Sequence, residues 1–111
     1  MSAVVHQLLL SIESELKALE WWQQTVPEPS ALQSTQPFCL DTLSLPQWLQ
    51  FVLLPRLHQM LHAGQPLPNR IAVYPMATEC FKGVNENPAR LLEVIAQLDE
   101  ALTGQPVERE A

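Results

Sequence analysis

The sequence is poor in the residues that build reaction centres and charged interfaces. Only three glycines occur, at positions 64, 83 and 104, and they are too scattered for a glycine-rich loop that cradles phosphate. The six basic residues, at 17, 56, 70, 82, 90 and 109, stand singly along 111 residues whose net charge is −6. Binding a phosphate backbone needs clustered lysine and arginine to release counterions, so no direct nucleic-acid partner is expected. Two cysteines, Cys39 and Cys80, do not make a disulfide framework, and they are not spaced as a CxxC pair. The longest apolar run, Phe51 to Pro55, falls far short of the ~20 residues that span a bilayer. The N-terminus shows no basic stretch followed by an apolar core and a cleavage site. These absences predict a cytoplasmic protein with free thiols, no membrane partner and no cofactor.

What is present is built for burial. Apolar residues make up 47% of the chain and charged ones 16%, below the usual quarter, which leaves apolar surface for a partner. There are ten prolines, and those at 27, 29, 37, 66, 68 and 75 gather between the periodic segments and predict long ordered connections. Residues 3–22 read as a helix, with Val5, Leu8, Ile12, Leu16 and Leu19 on one face and a Glu13–Lys17 pair on the other. Trp21 and Trp22 point to different sides of that helix. Pro27, Pro29 and Pro37 make residues 23–43 a connection, with room for one turn capped by Ser30. Ser44 opens the next helix through a capping box with Gln47, and Pro46 sits in its first turn. That helix runs to Leu61 and stops at Gly64, with Pro55 inside it, where the missing N–H predicts a kink.

Ile71 to Tyr74 is the one β-leaning stretch, and a short helix is predicted over residues 75–82. Asn87 and Pro88 start the last helix, whose inner face carries Leu91, Ile95, Leu98 and Leu102 before Gly104 ends it. The whole reads as all-α, an up-and-down helical bundle with three long helices, one short helix and ordered proline-rich loops. Residues 1–104 form a single domain and 105–111 a polar, frayed tail. A monomer and a homodimer are both compatible with this composition.

The chemistry-bearing residues have bland readings beside their sharper ones. His58 and His62 have the i,i+4 spacing of a metal-binding pair. They lack the glutamate of HExxH, and further ligands would have to come from Cys39, Cys80 or Asp41, so no metal is expected. Cys39 and Cys80 flank apolar residues and read as core packing rather than nucleophiles. Asp41 fits the role of a cap for the turn before Ser44, and Glu79 that of a solvated charge. No catalytic residue is assigned.

Several strings carry a family likeness: IESEL at 12–16, STQPFC at 34–39, DTL at 41–43, QWLQ at 47–50, LPR at 54–56, and Pro75-Met76. On these the chain resembles the YqcC-like family, small bacterial proteins of no established activity, over nearly its whole length. The resemblance implies an all-helical up-and-down bundle and supplies no catalytic residues. It also implies an association with a tRNA pseudouridine synthase of the C type. Such synthases use an aspartate on a much larger, mostly β scaffold, a setting unlike that of Asp41.

Low charge, ordered loops and the lack of a reaction centre together point to a non-enzymatic protein-interaction module. Its partner would be an RNA-modifying enzyme such as a tRNA pseudouridine synthase. The candidate interaction surface comprises Gln36, Phe38, Asp41, Trp48, Arg56, Met76 and Glu79. The alternative is a small-molecule binding protein with a pocket formed by Phe38, Asp41, Trp48 and Glu79.

Overall fold

The first helix, α1 (Ser2–Ala18), forms where apolar residues recur at spacings of four and three. Val5, Leu9, Ile12 and Leu16 are buried. Leu9 takes the inward place expected of Leu8, which is half-buried at the edge of the stripe. On the outer face Lys17 Nζ lies 2.8 Å from Glu13 Oε2. The helix stops four residues earlier than expected. Glu20 adopts φ 63°, its N–H donates to the carbonyl of Lys17, and the N–H of Trp21 reaches back to Leu16 at 2.9 Å. This is the Schellman arrangement, with glutamate where glycine is the usual occupant. The reversal places both tryptophans outside the helix. Trp21 packs on Phe81, with ring centroids 5.0 Å apart, and Trp22 lies under the Lys17 ammonium.

This computed structural model describes residues 2–33 and 43–109. The single turn α2 (Pro29–Leu32) begins on Pro29, with Glu28 before it. Ser30 therefore lies inside the turn and not at its cap, because proline's fixed φ already suits the first helical position.

The central rod starts at α3 (Leu45–Trp48), where the capping box is present as the sequence predicts. Ser44 N–H donates to Gln47 Oε1 at 2.8 Å and Gln47 N–H to Ser44 Oγ at 3.3 Å. It continues as a π-helical segment (Leu49–Leu53) and then as α4 (Leu54–Ala63). The widened turn lies directly before Pro55. There the Leu54 N–H bonds to the carbonyl of Leu49, five residues back. A π segment is one of the ways a helix absorbs a local irregularity, and here it meets the proline that offers no donor of its own. Gly64 closes the rod at φ 68°.

Within the π segment Gln50 is buried. Its amide holds the chain leaving α1 by both ends. Gln23 N–H donates to Gln50 Oε1 at 2.8 Å, and Gln50 Nε2 donates to the Gln23 carbonyl at 2.7 Å.

Helix α5 (Val73–Cys80) starts two residues before the expected position and absorbs half of the β-leaning stretch. The cause is distant in sequence. Asp99, 1% exposed, accepts the N–H of Val73 at 3.2 Å and of Tyr74 at 2.8 Å, the first two residues of the helix. Pro75 follows and has no donor to satisfy. The last helix, α6 (Ala89–Thr103), begins one residue later than expected, with the Asn87 side chain accepting from Ala89 N–H at 3.1 Å. Leu91, Ile95, Leu98 and Leu102 all face inward.

α1 packs on α6 and on α4, and α5 packs on α6. Their inner faces share one core of leucine, isoleucine and valine with Tyr74 and Phe81. The described residues contain helices and no strand, and the molecule measures 35 × 32 × 25 Å. Past Gly104 the chain turns back along α6. Val107 N–H donates to Glu100 Oε2 at 2.9 Å, and the Arg109 guanidinium spans Glu93 and Glu100 at 3.0 Å each. That fork holds the Glu93 carboxyl down at about 2, chiefly through the hydrogen bonds from Arg109, and lowers Glu100 in the same way.

Candidate functional site

Among the described residues, the surface concavities include three of similar size. One is a groove of about 430 Å³ along the central rod. Trp48, Val52, Arg56 and Met60 follow one another at every fourth position and form one wall, with Leu53 and Leu57 at its base. The other wall is the connection before α5, contributing Pro68, Arg70, Ile71 and Ala72. Trp48, Val52, Met60 and Ile71 are half-buried and the two arginines are exposed. The groove is thus an apolar trough carrying two guanidinium groups.

Those two cations are without the carboxylate partner that three of the other basic residues have. Lys17 pairs with Glu13, Lys82 with Glu79 at 3.1 Å, and Arg109 with Glu93 and Glu100. Among the described residues Arg56, Arg70 and Arg90 form no ion pair. Two of these three line the same groove on a molecule of net charge −6.

The second concavity, about 420 Å³, lies where Trp21 and Phe81 meet the start of α3, and Cys80 and Glu86 share its lining. Cys80 is exposed there, not packed in the core as its apolar neighbour suggested, because α5 turns its last residue outward. Desolvation, then the neighbouring Glu79 charge, push its thiol upward. That is the wrong direction for a nucleophile.

The third, about 400 Å³, is lined by His6, His58, Leu61 and His62. His58 meets His6 of α1 edge-on, with ring centroids 5.7 Å apart, a neighbour the HxxxH spacing alone does not reveal. Among the described residues no three His, Cys, Asp or Glu side chains are grouped to hold a metal ion.

The candidate interaction residues are only partly brought together. Trp48 and Arg56 line the first groove. Met76 is half-buried against the core, and Glu79 is exposed in its pair with Lys82. Gln36, Phe38 and Asp41, like Cys39, lie outside the described residues. Sequence reasoning missed Arg70, which only the fold carries to Arg56, and Asp99, whose partners are 25 and 26 residues away. The fourfold spacing from Trp48 to Met60 was the available signal for the groove's first wall. Among the described residues every buried side-chain polar atom has a partner, and none of their helices is long and apolar enough to cross a membrane.

Comparison with known proteins agrees with this architecture. A solution structure of the protein YqcC from E. coli superposes with a TM-score of 0.80 at 34% identity, covering 99% of this chain and 93% of that one. The E. coli YqcC sequence, named as an uncharacterized protein, is 37% identical over 92 residues, 83% of this chain and 82% of its own. A Haemophilus influenzae protein, also named uncharacterized, is 37% identical over 90 residues, covering 81% and 85% of the two chains. A Pectobacterium carotovorum protein named tRNA pseudouridine synthase C is 38% identical over 86 residues, 78% of this chain but 23% of that protein. The match therefore accounts for under a quarter of that longer chain. The family model DUF446, described as tRNA pseudouridine synthase C, matches residues 4–101. With that span matched and two relatives alike over most of their length, the chain belongs to the DUF446 family, that of the YqcC-like proteins.

Proposed function

We propose that this protein is a non-enzymatic interaction module that acts beside a tRNA pseudouridine synthase of the C type. The observation that carries the reading is the Pectobacterium relative, in which a segment like this chain occupies 23% of a longer protein bearing that enzyme's name. Joining two folds on one chain holds them at an effective concentration of about millimolar. Such joining is useful when the separate proteins also work in contact. The fold offers an apolar groove with cations. Among the described residues Cys80 has its thiol pKa raised, and no three His, Cys, Asp or Glu side chains are grouped to hold a metal ion. The catalytic work belongs to the partner, and the negative charge of this chain leaves tRNA contact to the partner as well. Trp48 and Arg56, which line one groove, form the centre of the contact surface.

The test is affinity purification of the tagged full chain from its native host, followed by mass spectrometry. A parallel assay measures tRNA pseudouridine in cells with and without the protein. Reproducible recovery of the synthase supports the reading. Recovery of no synthase, with unchanged pseudouridine content, overturns it.

A further inference from the structure

We infer that the groove between the central rod and residues 68–72 is a docking site for a short acidic, aliphatic peptide segment of a protein partner. The inference rests on the interaction-module reading above and adds the chemistry of what is bound. Two features of the groove select the occupant. Its base and most of its walls are apolar, with Trp48, Met60 and Ile71 half-buried along it, and tryptophan and methionine are among the side chains enriched at interfaces. Arg56 and Arg70 reach it from opposite walls, and neither has an ion-pair partner among the described residues.

Of the four basic residues outside the groove, Lys17, Lys82 and Arg109 are paired with glutamates, and among the described residues Arg90 alone is not. A segment with aliphatic side chains flanked by carboxylates satisfies both features. The aliphatics enter the trough between Trp48 and Met60, and the carboxylates meet the guanidinium groups, whose planar fork suits them. A basic segment, or a phosphate backbone with no apolar body, would match only one of the two.

A free fatty carboxylate shares the chemistry but not the shape. Small amphiphiles take pockets that cover most of their surface. This trough, by contrast, has both arginines and Ala72 exposed along it.

The experiment uses the isotope-labelled full chain titrated by NMR with three probes. These are a twelve-residue peptide of alternating Glu and Leu pairs, the same peptide with Lys for Glu, and dodecanoate. The acidic peptide should shift the Trp48 indole and the side-chain signals of Arg56 and Arg70, and should weaken with added salt. The double variant Arg56→Glu with Arg70→Glu should bind it at least about tenfold more weakly while keeping the helical spectrum, since both side chains are exposed. Arg90→Glu, an exposed change outside the groove, should leave binding unaltered. Equal binding of the Lys peptide, tighter binding of dodecanoate at the same signals, or indifference to the double charge reversal would each overturn the assignment.

The two readings fail separately. If the synthase is still captured by the double variant, the groove is not the docking site and the interaction-module reading stands. If the wild type captures no synthase but the groove binds the acidic peptide, the synthase reading falls and the groove assignment stands.

Discussion

Asp99→Ala should cost this fold about 2–4 kcal/mol. The carboxylate is 1% exposed and closes the start of α5 by accepting from Val73 and Tyr74, which are themselves 0% and 6% exposed. Alanine leaves both N–H groups without acceptor and out of reach of water, at about 1–3 kcal/mol for each orphaned donor. Part of that loss is offset because a buried carboxylate is itself disfavoured, as the upward displacement of its pKa from 3.8 records. Desolvation raises that pKa, and the bonds from Tyr74 and Val73 only partly oppose the shift. Asp99→Asn keeps one acceptor oxygen but turns an amide donor toward the second N–H, and should cost about 1–2 kcal/mol. Urea unfolding followed by circular dichroism reads both, as a shift of midpoint at constant slope. A loss below about 0.5 kcal/mol for the alanine variant would mean that α5 does not depend on this cap.

The pH dependence supplies a second, independent check. A carboxyl whose folded pKa is raised favours the folded state most when protonated. Its contribution relative to asparagine is therefore fully present below the unfolded value near 3.8. It is lost as pH rises through the higher folded value. The stability difference between wild type and Asp99→Asn should shrink with rising pH from about 4 upward, then level off. A difference that grows over that window would refute the assignment of desolvation as the dominant influence.

Three further outcomes are expected. Glu20→Gly should stabilise by about 1 kcal/mol in thermal or urea unfolding, because Glu20 holds a left-handed conformation, φ 63°, that glycine adopts without strain. Trp48→Ala should destabilise by about 2 kcal/mol, less than for a fully buried tryptophan, since its ring is half-buried. Titration calorimetry should show the same variant weakening the acidic peptide. Arg109→Ala should narrow the acid-stability range. Glu93 is depressed to about 2 by Arg109, so its contribution is present above about 4.5 and is lost as pH falls toward about 2. The gap between wild type and variant, followed by unfolding at several pH values, should close over that window and also diminish in high salt.

How much of this was legible divides along sequence distance. The Ser44–Gln47 box, the Gly64 and Gly104 stops and the inward face of α6 are decided by residues within one or two turns, and each was readable as a pattern. The start of α5 was not. Val73 and Tyr74 are β-leaning by type, and what makes them helical is an acceptor 25 and 26 residues away. The π segment has a readable cause in Pro55, but sequence reasoning could only say that the rod is disturbed there. It could not foresee that the disturbance turns Gln50 inward to grip Gln23. Cys80 was misplaced because an apolar neighbour in sequence is not a neighbour across a helix.

The same division governs the groove, and it links the cap to function. Trp48 and Arg56 lie eight residues apart on one rod, so their shared wall follows from the helical repeat. Arg70 joins them only because the connection carrying it is led into α5, and α5 is held where it is by Asp99. Removing the Asp99 carboxylate should therefore do more than lower global stability. The amides of Val73 and Tyr74 should lose hydrogen-exchange protection more than those of α1, and the Arg70 wall of the groove should loosen with them. If those amides exchange no faster relative to α1 in Asp99→Ala, the wall is positioned by packing alone, and the cap contributes to stability without shaping the site.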